Sequence, residues 1–570
     1  MATAEHALAE SGVVEIGSVR FGDILLQKGM LNAVQLDYLL QKQKIEKERL
    51  GTLAIRLGLV QEFDVAQVLA EQRGIERIDL EAVTHPDEQL LTLFRKELCL
   101  TRGFMPLRRT EQGVEVVLGD GDVEQVRQLV FERCGIRPVF FQTEFSRLRQ
   151  WIRQAYYFSH NPVESLLERE IEKLGADRER AHTPEKILEY LLHMAVRDRA
   201  TDIHVTPSTD SLHVLFRVDG VMRPAFALPI AVARLLVYIK LVAEMDISEQ
   251  RRPQDGSFQV EILNSPFTIR VSTLVSEYGE RLVLRLLPEH SQINGLLQLG
   301  FREQDVQQLM SVFSRPAGMV LLTGPTGSGK STTLHAALRM QSLIERNILT
   351  VEDPIEYRLP TACQTQVNRR AGYTFASAIR HFLRHDPDVM LVGEIRDAET
   401  ADAAVVAAAT GHLVLSTLHV NSVFGVVPRL LPFGLDRQII ADNLIAVVNQ
   451  RLVRRNCPFC SEPAEASSTE SEWLGEVHDG GAGLHRGKGC EHCGDSGYLG
   501  RLPVYEVMML DEDIAASIVD GEGQASLRKL SAQKGFKPMV EMARWRVAQG
   551  QTTPEEVLRV LGQGPEGSYA

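Results

Sequence analysis

Residues 320–334, Val-Leu-Leu-Thr-Gly-Pro-Thr-Gly-Ser-Gly-Lys-Ser-Thr-Thr-Leu, put a lysine and a serine directly after a glycine-rich turn that itself follows an apolar run. This is the order G-x-x-x-x-G-K-[ST]. In such a loop successive backbone N–H groups point at phosphate oxygens, and the helix that follows adds the positive end of its dipole. The expected ATP site comprises Gly324, Pro325, Thr326, Gly327, Ser328, Gly329, Lys330, Ser331 and Thr332, with Lys330 on the outer phosphates and Ser331 on Mg2+. Two carboxylates follow apolar runs, Glu352 after Ile348-Leu-Thr-Val and Glu394 after Val389-Met-Leu-Val-Gly. A carboxylate beside the γ-phosphate polarises the attacking water or holds magnesium through its water shell. Glu394 is expected to activate water and Glu352 to serve the magnesium shell or share the base role; the reverse assignment stays open. His412 and His419 flank the next apolar strand, which suits a reporter of the γ-phosphate.

Cys457-Pro-Phe-Cys460 and Cys490-Glu-His-Cys493 form a second chemical group. Each C-x-x-C offers two thiolates to one tetrahedral ion, and four cysteines close the shell, so Zn2+ there is structural. Two such pairs together argue against a thioredoxin-type redox site. The isolated Cys99, Cys134 and Cys363 read as small core residues.

These groups need several scaffolds, because 570 residues exceed a single core. A composition of 44% apolar and 24% charged residues suits folded domains. The net charge of -13 excludes wholesale coating by nucleic acid. No apolar run approaches the ~20 residues of a membrane helix and no secretory signal opens the chain, so a cytoplasmic protein that reaches the inner membrane through partners is expected.

Near the start, residues 20–43 and 49–72 repeat one pattern across a five-residue spacer, matching Arg20 with Arg49, Gly22 with Gly51, Gly29 with Gly58, Leu36 with Val65 and Gln43 with Gln72. Each unit reads as a short helix, a glycine stop and a longer helix. One reading is a helical hairpin used twice in a small bundle. The other is a pseudo-twofold pair of sites for a ligand with two equal phosphate-bearing halves, the glycines admitting it to the backbone. Runs such as Val114–Leu118 and Pro138–Gln142 complete a small α/β unit. The polar stretch 157–182 reads as a linker or solvated helix, and alternating strands from 200 to 287 as an antiparallel sheet carrying Arg217, Arg270, Arg281 and Arg285. Arginines on such a face are solvated or ion-paired, or stabilise a transferring phosphoryl group.

The tandem motif resembles the N-terminal, MshE-type module of pilus assembly ATPases that binds cyclic di-GMP. The resemblance implies a sensor using Arg20, Gly22, Gly29, Leu36, Gln43, Arg49, Gly51, Gly58 and Gln72, with Phe21 and Ala54 departing from the usual apolar residues. Residues 183–560 resemble the GspE/PilB-like secretion ATPases of type II secretion and type IV pilus assembly. On that resemblance Glu352, Glu394 and His419 lie in the family's Asp box, Walker B motif and His box, and Arg270 and Arg285 face phosphate, with Arg217 and Arg281 as weaker candidates. Arg380, Arg384 and Arg396 are implied to mix nucleotide contact with subunit pairing. The implied fold is a multidomain α/β chain: a regulatory domain (1–156), a linker (157–182), a PAS-like α+β domain (183–290), a RecA-like P-loop ATPase core (291–450), a zinc subdomain (451–505) and C-terminal helices (506–570). The implied activity is ATP hydrolysis by a homo-hexamer that drives an inner-membrane pilus or pseudopilus platform, each site being completed by a neighbour's arginines. The tetracysteine segment favours assembly over retraction motors. A nucleic-acid translocase or helicase, or a nucleotide-sensing regulator with incidental hydrolysis, are the alternatives; no nucleic-acid partner is expected, since a channel for one needs basic and aromatic lining.

Overall fold

The computed structural model describes residues 20–562 apart from 81–82, 84–85, 177–183, 290–294, 342–344, 361 and 476–482. The chain divides into two units, Met1–Pro162 and Val163–Ala570.

In the first unit the repeats form helices Phe21–Gln27 and Ala33–Glu46, then Leu50–Arg56 and Glu62–Arg73. Arg20 and Arg49 precede the short helices with nearly equal angles (φ -67°, ψ 144° and φ -66°, ψ 141°). Gly29 and Gly58 end them in the left-handed region, at φ 66° and 67°, where a side chain would be strained. A Cβ on Gly22 would lie 3.0 Å from Leu36 and 3.3 Å from Leu50; one on Gly51 would lie 3.1 Å from Val65 and 3.4 Å from Phe21. The contacts are reciprocal, because Leu36 matches Val65 and Phe21 matches Leu50, as across a twofold axis. Gly22 and Gly51, expected to admit a ligand to the backbone, also stand where the helices pack closely, and Leu36 is buried in the same core as Leu25, Leu39, Leu53 and Val68. The remainder is a four-stranded sheet in the order Glu76–Arg77, Pro138–Gln142, Gly113–Leu118, Phe104–Thr110, with only the last pair antiparallel.

Polarity misplaces the stretch 157–182. Helix Phe145–His160 runs into it, and Val163–Ala176 is a helix that buries Val163 and Leu167, one turn apart, beneath an otherwise charged surface. Residues 177–182 lie outside the described part.

The second unit holds a six-stranded antiparallel sheet in the order Val221–Pro229, Ser211–Val218, Ala200–Pro207, Gly279–Pro288, Ser265–Ser276, Asp255–Ile262. A seven-stranded sheet follows in the order Cys363–Gln366, Ile348–Glu352, Val389–Val392, Leu413–Leu418, Gly318–Thr323, Leu444–Asn456, Tyr498–Met509; all neighbours are parallel except the last pair. Its central strands are continuous apolar runs because both faces are covered: Met319 and Leu321 enter one core, Val320 and Leu322 the other. At the C-terminal end, Thr553 caps helix Pro554–Leu561, its Oγ1 accepting from the Glu556 N–H and Pro554 filling the first helical position. No described helix is long and apolar enough to cross a membrane.

Candidate active site and metal centre

Strand Gly318–Thr323 is fully buried and delivers its C-terminal end into a turn where Gly324, Gly327 and Gly329 take φ of 135°, 76° and 87°. Helix Lys330–Arg339 then begins, placing Lys330 and Ser331 at its first turn beside the N–H groups that lack a partner. The Lys330 Nζ donates to the Gly324 and Pro325 carbonyls, both at 2.9 Å. Burial pulls its pKa down to about 8; Glu394 and Glu356 oppose that shift, whereas Arg451 adds to it. The ammonium is therefore poised to exchange two carbonyls for a phosphate.

Glu394 stands just beyond strand Val389–Val392 in a turn fixed from both sides. The Gly393 N–H donates to Val351 O (2.8 Å), Thr417 Oγ1 donates to Gly393 O (2.8 Å) and the Ile395 N–H donates to Thr417 O (3.0 Å). Its carboxylate meets Arg396 at 2.6 Å and His419 at 3.5 Å. Glu352 ends the adjacent strand but is 4% exposed, with Oε1 accepting from Thr350 (2.7 Å) and Gln364 (3.1 Å), and Oε2 lying 3.1 Å from His335 Nε2. Three protein groups already occupy it. His412 lies at the N-terminal end of its strand, where Nδ1 is 2.9 Å from Ala407 O; the expected pair of sensor histidines reduces to His419.

The arginines form a row across the six-stranded sheet. Arg217 pairs in register with Asp202, Asp202 with Arg285, and Arg285 with Arg270. Asp202 is buried and holds Arg285 at 2.9 Å and Arg217 at 3.9 Å. Arg270 faces a like charge directly across the strands, an arrangement that costs energy until an anion is nearby. Burial lowers the Arg270 pKa, Glu356 and Asp353 raise it, and Arg285 lowers it further. The resemblance implies a neighbouring subunit as the source of these arginines, yet Arg270 already lies within electrostatic reach of this chain's own Glu356 and Asp353. Arg281 instead contacts His204 at 3.2 Å, and Arg380 pairs with Glu399 at 2.8 Å. Sequence reasoning missed Glu356. Its only signal was its place in Asp353-Pro-Ile-Glu356, three residues after a carboxylate already under consideration.

The four cysteines converge. Their sulfurs all lie within 4.8 Å of one another, with Cys457–Cys490 at 3.8 Å, Cys460–Cys493 at 3.9 Å and Cys490–Cys493 at 3.7 Å. A tetrahedron with Zn–S bonds of about 2.3 Å has edges of about 3.8 Å, whereas a disulfide needs about 2.05 Å. The Cys490 and Gly497 N–H groups donate to Cys493 Sγ at 3.2 and 3.3 Å, a polarity suited to thiolate. The donor set therefore fits a structural zinc ion. The knuckle also touches the six-stranded sheet, through Arg223 Nη1 to Cys493 O (3.0 Å) and the Gly500 N–H to Asp219 (3.1 Å).

In the first unit, a cavity of about 210 Å3 is lined by Arg49, Gly51, Val65, Leu69 and Gln72 of the second repeat and by Asp120 and Gln142 of the α/β part. Arg49 Nη1 donates to Asp120 O at 2.5 Å. Arg20 is exposed, and Gln43 donates to Glu48 O at 2.9 Å.

A glycine-rich phosphate loop between a buried parallel strand and a helix, faced by a strand-end glutamate, defines a P-loop ATPase. The family model for "Type II/IV secretion system protein" matches residues 177–559, and the chain belongs to that family. It is 44% identical over 382 residues to the "Type II secretion system protein E" of Klebsiella pneumoniae, covering 66% of this chain and 76% of that protein. Over 560 residues it is 32% identical to the "Type IV pilus assembly ATPase PilB" of Myxococcus xanthus, covering 95% of this chain and 98% of that one. The Legionella pneumophila ATPase DotB shares the fold at 23% identity and a TM-score of 0.50, over 66% of this chain and 95% of that chain. With those matches the chain is a RecA-like secretion ATPase that hydrolyses ATP.

Proposed function

We propose that this ATPase works as a homo-hexamer on an inner-membrane platform, extending a pilus or pseudopilus, with cyclic di-GMP as its regulatory ligand. The observation that carries the motor reading is the Glu394 carboxylate, held between Arg396 and His419 and coupled electrostatically to Lys330. In this reading Glu394 aligns and deprotonates the attacking water, Lys330 and the loop N–H groups bind the outer phosphates, Ser331 holds Mg2+, and Arg270 and Arg285 neutralise charge that develops on the transferring group. His419 reports the γ-phosphate. The 95% coverage by a pilus assembly ATPase supports an assembly direction, and the identity to protein E keeps a secretion pseudopilus open.

The regulatory reading rests on the two repeats, whose Arg20 and Arg49 start equivalent helices with equivalent backbones. A ligand of two identical halves, each with a phosphate, matches that duplication. In calorimetry with cyclic di-GMP, Arg20→Ala and Arg49→Ala should each weaken binding by about 10- to 100-fold; unchanged binding in both removes the sensor. Hydrolysis should respond to the dinucleotide and not to DNA or RNA, and stimulation by nucleic acid would favour a translocase. Light scattering with ATP bound should give the mass of six chains.

A further inference from the structure

We infer that Gln450 is a positioning residue for the phosphate loop. Strand Leu444–Asn456 runs beside Gly318–Thr323 with Asn449 opposite Thr323, so Gln450 falls just past the paired segment, alongside the loop itself. Its side chain is 2% exposed. Nε2 donates to Ser328 O at 2.7 Å and Oε1 accepts from Thr333 Oγ1 at 2.9 Å. One amide thus ties the turn before Lys330 to the first turn of the helix after it. The glycines at both ends of the loop rest on the same residue: a Cβ on Gly324 would lie 2.4 Å from Gln450 O, and one on Gly329 would lie 2.7 Å from Gln450 Nε2.

The preceding side chain points the other way, as pleating requires. Asn449 accepts from Thr323 Oγ1 (3.3 Å) and donates to Asn421 O (2.9 Å) and Glu506 (3.0 Å), on the side of the His419 loop. Gln450 is therefore directed at the loop by the strand's register. It acts on the nucleotide through Ser328, Gly329 and Thr333, which fix the turn and the helix start that set where phosphate oxygens sit. Loosening them weakens the bound ground state and the transition state alike, which raises KM and leaves kcat nearly unchanged.

The test uses the full chain, with circular dichroism to establish folding, steady-state hydrolysis, and titration of a fluorescent ATP analogue. Gln450→Met keeps the length of the side chain and removes both hydrogen bonds; KM and the analogue Kd should rise about tenfold with kcat within about threefold. Thr333→Val removes only one partner and should give a smaller rise in the same direction. The double variant should fall short of the combined effects, because the two residues share a contact. Unchanged KM and Kd in folded Gln450→Met, or a loss confined to kcat, overturns the assignment. If Gln450→Met does not fold, Thr333→Val decides alone: unchanged Kd overturns the assignment and a raised Kd supports it.

Discussion

Strands Ile348–Glu352 and Val389–Val392 are hydrogen-bonded neighbours in one parallel sheet, and each brings a glutamate to the same edge. At the first, Thr350 and Gln364 donate to one oxygen of a buried carboxylate, and His335 Nε2 lies 3.1 Å from the other. At the second, the carboxylate meets Arg396 and, farther off, His419 among the described residues, and its charge reaches Lys330. A carboxylate accepts about four hydrogen bonds. Position at the carboxyl edge of the sheet is thus shared, and the two carboxylates differ in burial and in partners, the difference on which the proposed division of roles rests.

The most severe way to break this contrast is Glu394→Gln, which should lower kcat by about 10²–10⁴-fold while leaving affinity for an ATP analogue within about threefold. Phosphate-release kinetics and analogue titration measure the two. Glu352→Gln should cost less turnover, under about 30-fold, and should lower stability by about 1–3 kcal/mol, because His335 and its other partners lose a charged acceptor. If instead it abolishes turnover as fully as Glu394→Gln at unchanged thermal stability, the two roles reverse.

Zinc sharpens the contrast from outside the sheet. Metal analysis should find about one zinc per chain. Chelation should lower kcat about tenfold by releasing the knuckle that Arg223 and Asp219 tie to the arginine-bearing sheet. A fully folded, fully active zinc-free protein would remove the metal centre.

The smallest effect is in pH. Free Lys330 titrates near 8, below its ordinary value, because burial disfavours its charge. Bound phosphate favours the charged form, so binding near and above that pH takes up a proton, and ATP affinity should be level below about pH 7 and fall as pH rises through 8. Glu394 opposes the shift, so Glu394→Gln should move the onset of the fall to lower pH and Glu352→Gln should not. Calorimetry in buffers of different ionisation heat reports the proton.

Much of this was legible because it is local in sequence. The phosphate loop and the two cysteine pairs are defined within a few residues each; the strands that carry the arginines show in their alternation, whereas the row itself depends on cross-strand register. The unequal fates of Glu352 and Glu394 were not, since Gln364 and His335 come to Glu352 from a neighbouring strand and from the helix after the phosphate loop. Gln450 carries no motif, and its partner Ser328 lies 122 residues away. Helix Val163–Ala176 stayed open in sequence between a linker and a solvated helix, because its many charges hide the few residues it buries, Val163, Leu167 and Glu170. Gly22 and Gly51 showed their spacing in sequence but not their packing, which involves side chains of both repeats.

Strand Leu444–Asn456 passes beneath the phosphate loop at Gln450 and meets the first zinc ligand at Cys457. Seven residues of extended chain span about 23 Å. Along this stretch the strand pairs with Tyr498–Met509 from Gln450 to Arg454, and the register shifts before Asn456 pairs with Tyr498. One strand thus carries the amide that braces the phosphate loop and, just past its end, the first cysteine of the four-sulfur cluster.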